Sequence, residues 1–210
     1  MEVLPTTGPQ AEKYRNKLDQ WLKSFPQWHD NFVWQPNPTP AWHKPQKPLN
    51  KCTVALITTG GIHHKDQSPF EVDAPFGDSS FRIIPSDSAP TDLVISHTHY
   101  DHFEADHDID CMFPISHLRS LKDEGFIASV AKRFYGLNGF IPDPSKLVCE
   151  TALQIRKCLL EDGVDVVFFT PGSAICQQTI GLLQNDFENA GIATISITLK
   201  PEVTLFMNVP

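Results

Sequence analysis

The sequence predicts an α/β domain: a doubly wound, mainly parallel sheet of the Rossmann or flavodoxin-like class, preceded by a helical and proline-rich extension. Three observations carry this expectation. The runs CTVALITT, DLVISH and DVVFFTP are continuously apolar and rich in β-branched residues, the composition of strands covered on both faces. Segments of helical period alternate with such runs in the second half of the chain. Glycines stand where those helices should stop, at Gly125, Gly163 and Gly191.

Taken in order, residues 11–25 place Tyr14, Leu18, Trp21, Leu22 and Phe25 at helical spacing, which predicts an amphipathic helix. Pro36, Pro38, Pro40, Pro45 and Pro48 follow, and so many missing backbone donors exclude a regular helix or central strand. Trp28, Trp34 and Trp42 argue that this stretch is an arm docked on the domain, so residues 1–50 form the extension and 51–210 the α/β domain. CTVALITT is the first strand and runs into a tight turn at Gly60-Gly61. DLVISH (92–97) is the second buried strand. Residues 115–125 form a helix, and 149–163 another with Ala152, Ile155, Cys158 and Leu159 on one face. DVVFFTP (165–171) is the third strand, 173–191 a helix, and ATISITL (193–199) the fourth strand.

A net charge of −8, without a run of Lys and Arg, argues against a nucleic-acid surface. No apolar stretch approaches the ~20 residues of a membrane span, and the N-terminus lacks the pattern of a signal peptide. The five cysteines are odd in number, widely spaced and without a CxxC pair, so reduced thiols and a cytoplasmic location are expected.

His97-x-His99-x-Asp101-His102 has the form of a metallo-β-lactamase-type zinc signature. That site needs further histidines downstream, and all nine histidines of the chain lie at or before His117. The hydrolase reading therefore rests on the first motif alone. The same residues remain candidates on physical grounds. His97 and His99 follow a strand directly and share a face on an extended continuation, a geometry suited to a metal ion or an anionic substrate. With Asp101, and with His63 from a neighbouring loop, they form a candidate zinc or iron set; acid–base work by His99 and a plain hydrogen-bonded loop are the alternatives. No nucleotide cofactor is indicated. Cys176 stands in the first turn of a helix after a buried strand, where the helix N-terminus favours a thiolate, although a buried cysteine is equally a core filler. Arg82 in SFRIIP is a candidate carboxylate clamp, and Thr59, Gly60 and Gly61 are candidate substrate-binding residues at the end of the first strand.

Several stretches in order carry a wider likeness: TTGG-x-H, GD-x-S-F-R-x-I-P, S-H-x-H-Y-D, F-P-I-x-x-L-R-x-L followed by E-G, and A-G-I near the end, after a lead-in PAWHKPQKPLNK. Over residues 38–200 the chain resembles the selenoprotein B-type subunits of the glycine, sarcosine, betaine and D-proline reductases. The resemblance implies an oxidoreductase subunit that cleaves a C–N bond in a small amino-acid-like substrate, beside a second subunit whose pyruvoyl group holds the substrate amine. It also implies assembly as a homo- or hetero-oligomer. The family's selenol follows Thr-Pro, with a Cys three residues later. Thr170-Pro171 and Cys176 match, and the selenocysteine position falls on Ser173. A serine hydroxyl is a poor nucleophile without an adjacent base and takes no part in thiol exchange. Cys176 is therefore the expected working thiol, with Ser173 and His99 beside it; a thiol-containing substrate, a non-catalytic partner subunit, and a metal-dependent hydrolase or lyase on His97, His99 and Asp101 are the alternatives.

Overall fold

The computed structural model describes residues 32–209 together with Glu12 and Asn16. The helix expected over 11–25 falls outside the described residues apart from those two, both helical and exposed, and so does Trp28.

Within the described residues 32–209 there are eight strands and five α-helices. They are β1 (Thr53–Thr58), β2 (Ile62–His64), β3 (Phe81–Pro85), β4 (Leu93–Ile95), α1 (Phe103–His107), α2 (Ile115–Asp123), β5 (Ser129–Val130), β6 (Arg133–Leu137), α3 (Ala152–Glu161), β7 (Val166–Thr170), α4 (Gln177–Asn189), β8 (Ala193–Ser196) and α5 (Pro201–Phe206). The main sheet has six strands, in the order β3-β6-β1-β7-β8, with β5 beside the start of β1. β5 and β6 act as one interrupted strand on the same edge of β1, bridged by the bond from Ala131 N–H to Val54 O at 2.8 Å. Within this sheet all strand pairings are parallel except that of β3, which runs antiparallel to β6. The fold is thus α/β with a mostly parallel sheet, as the continuous apolar runs predict. Val54 through Thr58 are all buried, and since side chains alternate across a strand, both faces of β1 are covered. Each such Val, Leu or Ile contributes roughly 1.5–3 kcal/mol to the core.

Two sequence expectations change. DLVISH does not enter the main sheet: only Leu93–Ile95 are strand, and they pair antiparallel with β2 in a separate two-stranded ribbon. RFYGL, without a marked β-branched run, forms β6 next to the centre. Gly136 sits in it because a Cβ there would lie 1.8 Å from Ile62 O, where the ribbon crosses the sheet.

The proline-rich arm lies along α4. Successive polar groups on that helix meet the arm's backbone: Gln178 Oε1 accepts from Gln35 N–H (2.9 Å), Gln178 Nε2 donates to Val33 O (2.9 Å), Asn185 Oδ1 accepts from Ala41 N–H (3.0 Å), and Glu188 accepts from His43 N–H. Asn37, buried, donates from Nδ2 to Gly181 O (3.0 Å) and Met207 O (3.2 Å). Positions 178, 181, 185 and 188 form one helical stripe. A chain with so many prolines cannot satisfy its own backbone, so the helix carries buried Gln and Glu to do it. Trp34 packs edge-on against Phe206 at 5.7 Å, whereas Trp42 is 73% exposed and holds nothing down. No helix among the described residues is long and apolar enough to cross a membrane.

Candidate active site

The chain goes from β1 to β6 on one side and then across β1 to β7 on the other. In open α/β sheets the carboxyl ends of the strands at such a reversal of winding are the usual ligand site. Three loops meet there: Thr59-Gly60-Gly61 after β1, Asn138-Gly139-Phe140 after β6, and Pro171-Gly172-Ser173 after β7. Thr59 joins them. Its N–H donates to Thr170 O (3.0 Å), its carbonyl accepts from Gly139 N–H (3.0 Å), and its Oγ1 accepts from Gly172 N–H (3.3 Å). Gly61, at φ 74°, makes the turn and donates to Leu137 O at 2.8 Å.

Cys176, at the head of the thirteen-residue α4, puts its sulfur into this junction. Ser173 Oγ is 3.0 Å from Cys176 Sγ, and His97 Nε2 is 3.7 Å away. The hydroxyl of Thr59 and the backbone N–H groups of Ser173 and Cys176 also address the sulfur. Gly139 closes the other side: a Cβ there would lie 2.5 Å from the Cys176 Sγ. Cys176 is fully buried, and burial pushes its thiol up, while the Ser173 and Thr59 hydroxyls and the two N–H groups pull the other way. Burial prevails, so the sulfur is a thiol at neutral pH, ringed by donors that would stabilise a thiolate.

His97 is buried, and its pKa falls to about 3, first through burial and then through the positive charges that His99 and His102 would carry. It is a neutral imidazole at physiological pH. His99 stacks on Phe140, ring centroids 4.2 Å apart; burial lowers its pKa, against the pull of Asp73. Tyr100 donates its hydroxyl to Gly60 O at 2.8 Å, and burial raises its pKa.

The remaining predicted residues are engaged elsewhere. His63 is buried with Nδ1 at 2.8 Å from His64 O and Nε2 at 2.7 Å from Ser96 Oγ. Asp101 is exposed and accepts from Phe103 N–H at 3.1 Å, starting α1. Among the described residues no three His, Cys, Asp or Glu side chains form a group that could hold a metal ion. The zinc or iron set of His63, His97, His99 and Asp101 is therefore not assembled. Arg82 is no free clamp: it donates to Ser68 O, Pro69 O and Ser80 Oγ, and its guanidinium lies 4.3 Å over the Phe70 ring, tying down the 68–80 loop. A groove of about 610 Å³ lies apart from the sulfur, between β4 and α1, lined by Lys65, Thr91, Ile95 and Asp106 among others.

Sequence reasoning passed over Gly139, Tyr100 and Phe140. The Asn138-Gly139 pair, a turn signal at the end of an apolar run, was the available sign of the first.

Residues 38–172 match the family model described as glycine/sarcosine/betaine reductase selenoprotein B. The chain belongs to this family. It is 40% identical over 166 residues to the D-proline reductase subunit gamma of Acetoanaerobium sticklandii, a match covering 79% of this chain and 67% of that protein. It is 27% identical over 164 residues to the glycine reductase complex component B subunit gamma of Peptoclostridium acidaminophilum, covering 76% of this chain and 36% of the relative. The betaine reductase complex component B subunit beta of the same organism is 27% identical, over 73% of this chain and 35% of its own length. The chain thus spans two thirds of the first relative and little over a third of the other two. No solved structure matches it. The selenoprotein B family match includes the Thr59 junction and His97 and stops at Gly172, one residue before the Ser173–Cys176 turn.

Proposed function

We propose that the chain is the thiol-bearing subunit of a reductase complex acting on a small amino acid, with Cys176 as the nucleophile where the family resemblance expects a selenol at Ser173. One observation carries the reading: the Cys176 sulfur lies where the loops after β1, β6 and β7 meet, with Ser173 Oγ at 3.0 Å, His97 Nε2 at 3.7 Å and the Thr59 hydroxyl around it. A sulfur held only as core filler has no need of so many hydrogen-bond donors. In the reaction a thiolate at Cys176 attacks the substrate carbon, an S–C bond forms, and the C–N bond breaks with its electron pair leaving on nitrogen, which takes up a proton. One thiol of an external dithiol reductant then attacks the sulfur, the carbon leaves with the S–C electron pair and a proton, and the reductant's second thiol resolves the mixed disulfide, releasing Cys176 and the oxidised reductant. Ser173 and Thr59 stabilise the thiolate through hydrogen bonds. A second subunit holds the substrate nitrogen, in keeping with relatives named as subunits of reductase complexes. D-proline is the first substrate to test, because the 40%-identical relative bears its name.

A second reading, a non-catalytic subunit, is favoured by the full burial of Cys176 and its raised thiol pKa. Tagged chain purified from its own host separates the two. The first reading expects a co-purifying second subunit and dithiol-dependent consumption of D-proline that falls to background in Cys176→Ala. Full turnover by Cys176→Ala in the same complex supports the second.

A further inference from the structure

We propose that His97 serves the site as a fixed N–H donor to the Cys176 sulfur, its ring proton held on Nε2 by the backbone of His99. The geometry runs through two contacts. His99 N–H points at His97 Nδ1 at 3.1 Å, and a backbone N–H can only donate, so Nδ1 is the acceptor nitrogen. The single ring proton of the neutral imidazole is then on Nε2, which faces Cys176 Sγ at 3.7 Å. Packing fixes the ring in that orientation. Tyr100 sits edge-on at 4.8 Å, and Gly61 leaves room for the imidazole where a Cβ would lie 2.8 Å from His97 Cβ.

The arrangement differs in kind from a cysteine–histidine pair in which the imidazole removes the thiol proton. An Nε2 that already carries hydrogen takes no proton from sulfur; it stabilises the charge once the proton has gone elsewhere. It also offers no lone pair to a metal on the sulfur side. His97 is thus a positioning residue, and its purpose, though not its tautomer, rests on the reading of Cys176 as the working thiol.

The direct test is ¹⁵N NMR of the intact chain labelled at histidine. The inference expects one histidine with a pyrrole-like Nε2 and a pyridine-like Nδ1 at neutral pH, assigned to His97 by its loss in His97→Gln. A proton on Nδ1, or a doubly protonated ring, overturns it. Alkylation of Cys176 by iodoacetamide at one fixed pH, followed by peptide mass mapping, gives a second readout. His97→Phe removes the donor and should slow alkylation ~10-fold, the worth of one hydrogen bond to a charged group, while His97→Gln, which keeps an N–H at similar reach, should stay within ~3-fold. Equal rates in all three proteins overturn the inference. The NMR result needs no folded Phe variant, and it stands or falls whether or not the Cys176→Ala complex turns over.

Discussion

Gly139→Ala tests the packing of the sulfur site with one methyl group. The new Cβ would meet Cys176 Cβ and Sγ at 2.5 Å and Thr59 Cβ at 2.7 Å. Ordinary contacts lie at about 3.5–4.0 Å, so something must move by about 1 Å. Thr59 is held from two sides, its carbonyl by the loop after β6 and its N–H and hydroxyl by the end of β7 and the loop that follows. Cys176 must move instead, which alters its contacts with Ser173 and His97. Overpacking of this kind costs about 1–3 kcal/mol. With a urea m-value of about 2 kcal/mol per M, a cost near 2 kcal/mol lowers the unfolding midpoint by about 1 M at unchanged m. Gly125→Ala is the control: a Cβ there meets nothing within 4 Å, so only the strain of φ 78° remains, about 1–2 kcal/mol. The control leaves Cys176 alkylation unaltered, whereas Gly139→Ala changes its rate. An unchanged midpoint together with unchanged Cys176 reactivity in Gly139→Ala would refute the packing described for this junction.

His97 gives the stability a pH dependence. Its pKa is about 3 in the folded chain, mainly through burial, against 6.5 for the free side chain, so between these values the unfolded chain binds a proton that the folded one does not. Stability is fully present above pH 6.5 and lost as pH falls; from 6.5 to 5 the loss is about 2 kcal/mol, and urea midpoints of His97→Gln should fall less steeply over that range than those of the native chain. Parallel curves would contradict it. Asn37→Ala removes two buried donor contacts to Gly181 O and Met207 O and should cost about 2 kcal/mol, with faster hydrogen exchange at the amides of Gln35 and Ala41; unchanged exchange there would mean that the arm is held by other contacts. Arg82→Met unties the 68–80 loop from three acceptors, so limited proteolysis should shift into that loop while Cys176 alkylation stays as it was. Loss of thiol reactivity in that variant would restore Arg82 to the site.

β1 and β7 were legible because their apolar runs exceed what a half-exposed strand carries, β8 from its β-branched residues although only Ala193 of it is buried, and the helix ends because Gly125, Gly163 and Gly191 do adopt positive φ. β6 was not, since Gly136 is a poor strand residue chosen for the close approach of Ile62 O, a contact 74 positions away. DLVISH misled for the opposite reason: three apolar residues fit a central strand and a short covered ribbon equally well. In the site, Cys176 was legible from its place after a strand and at a helix start, and Ser173 from the family resemblance. The metal set finds no support among the described residues, because spacing along a loop fixes neither direction nor depth. His97 turns inward to the sulfur, Asp101 turns out to start α1, and His63 bonds within its own ribbon. Gly139 was hidden because its role is the absence of a side chain beside a residue 37 positions later.

Acid quenching of the complex during turnover of D-proline, followed by peptide mass mapping, tests the proposal that Cys176 carries the reacting sulfur. The expected result is a thioether between the substrate carbon and Cys176, absent when substrate is omitted. An adduct on any other residue, or full turnover by Cys176→Ala, would contradict it.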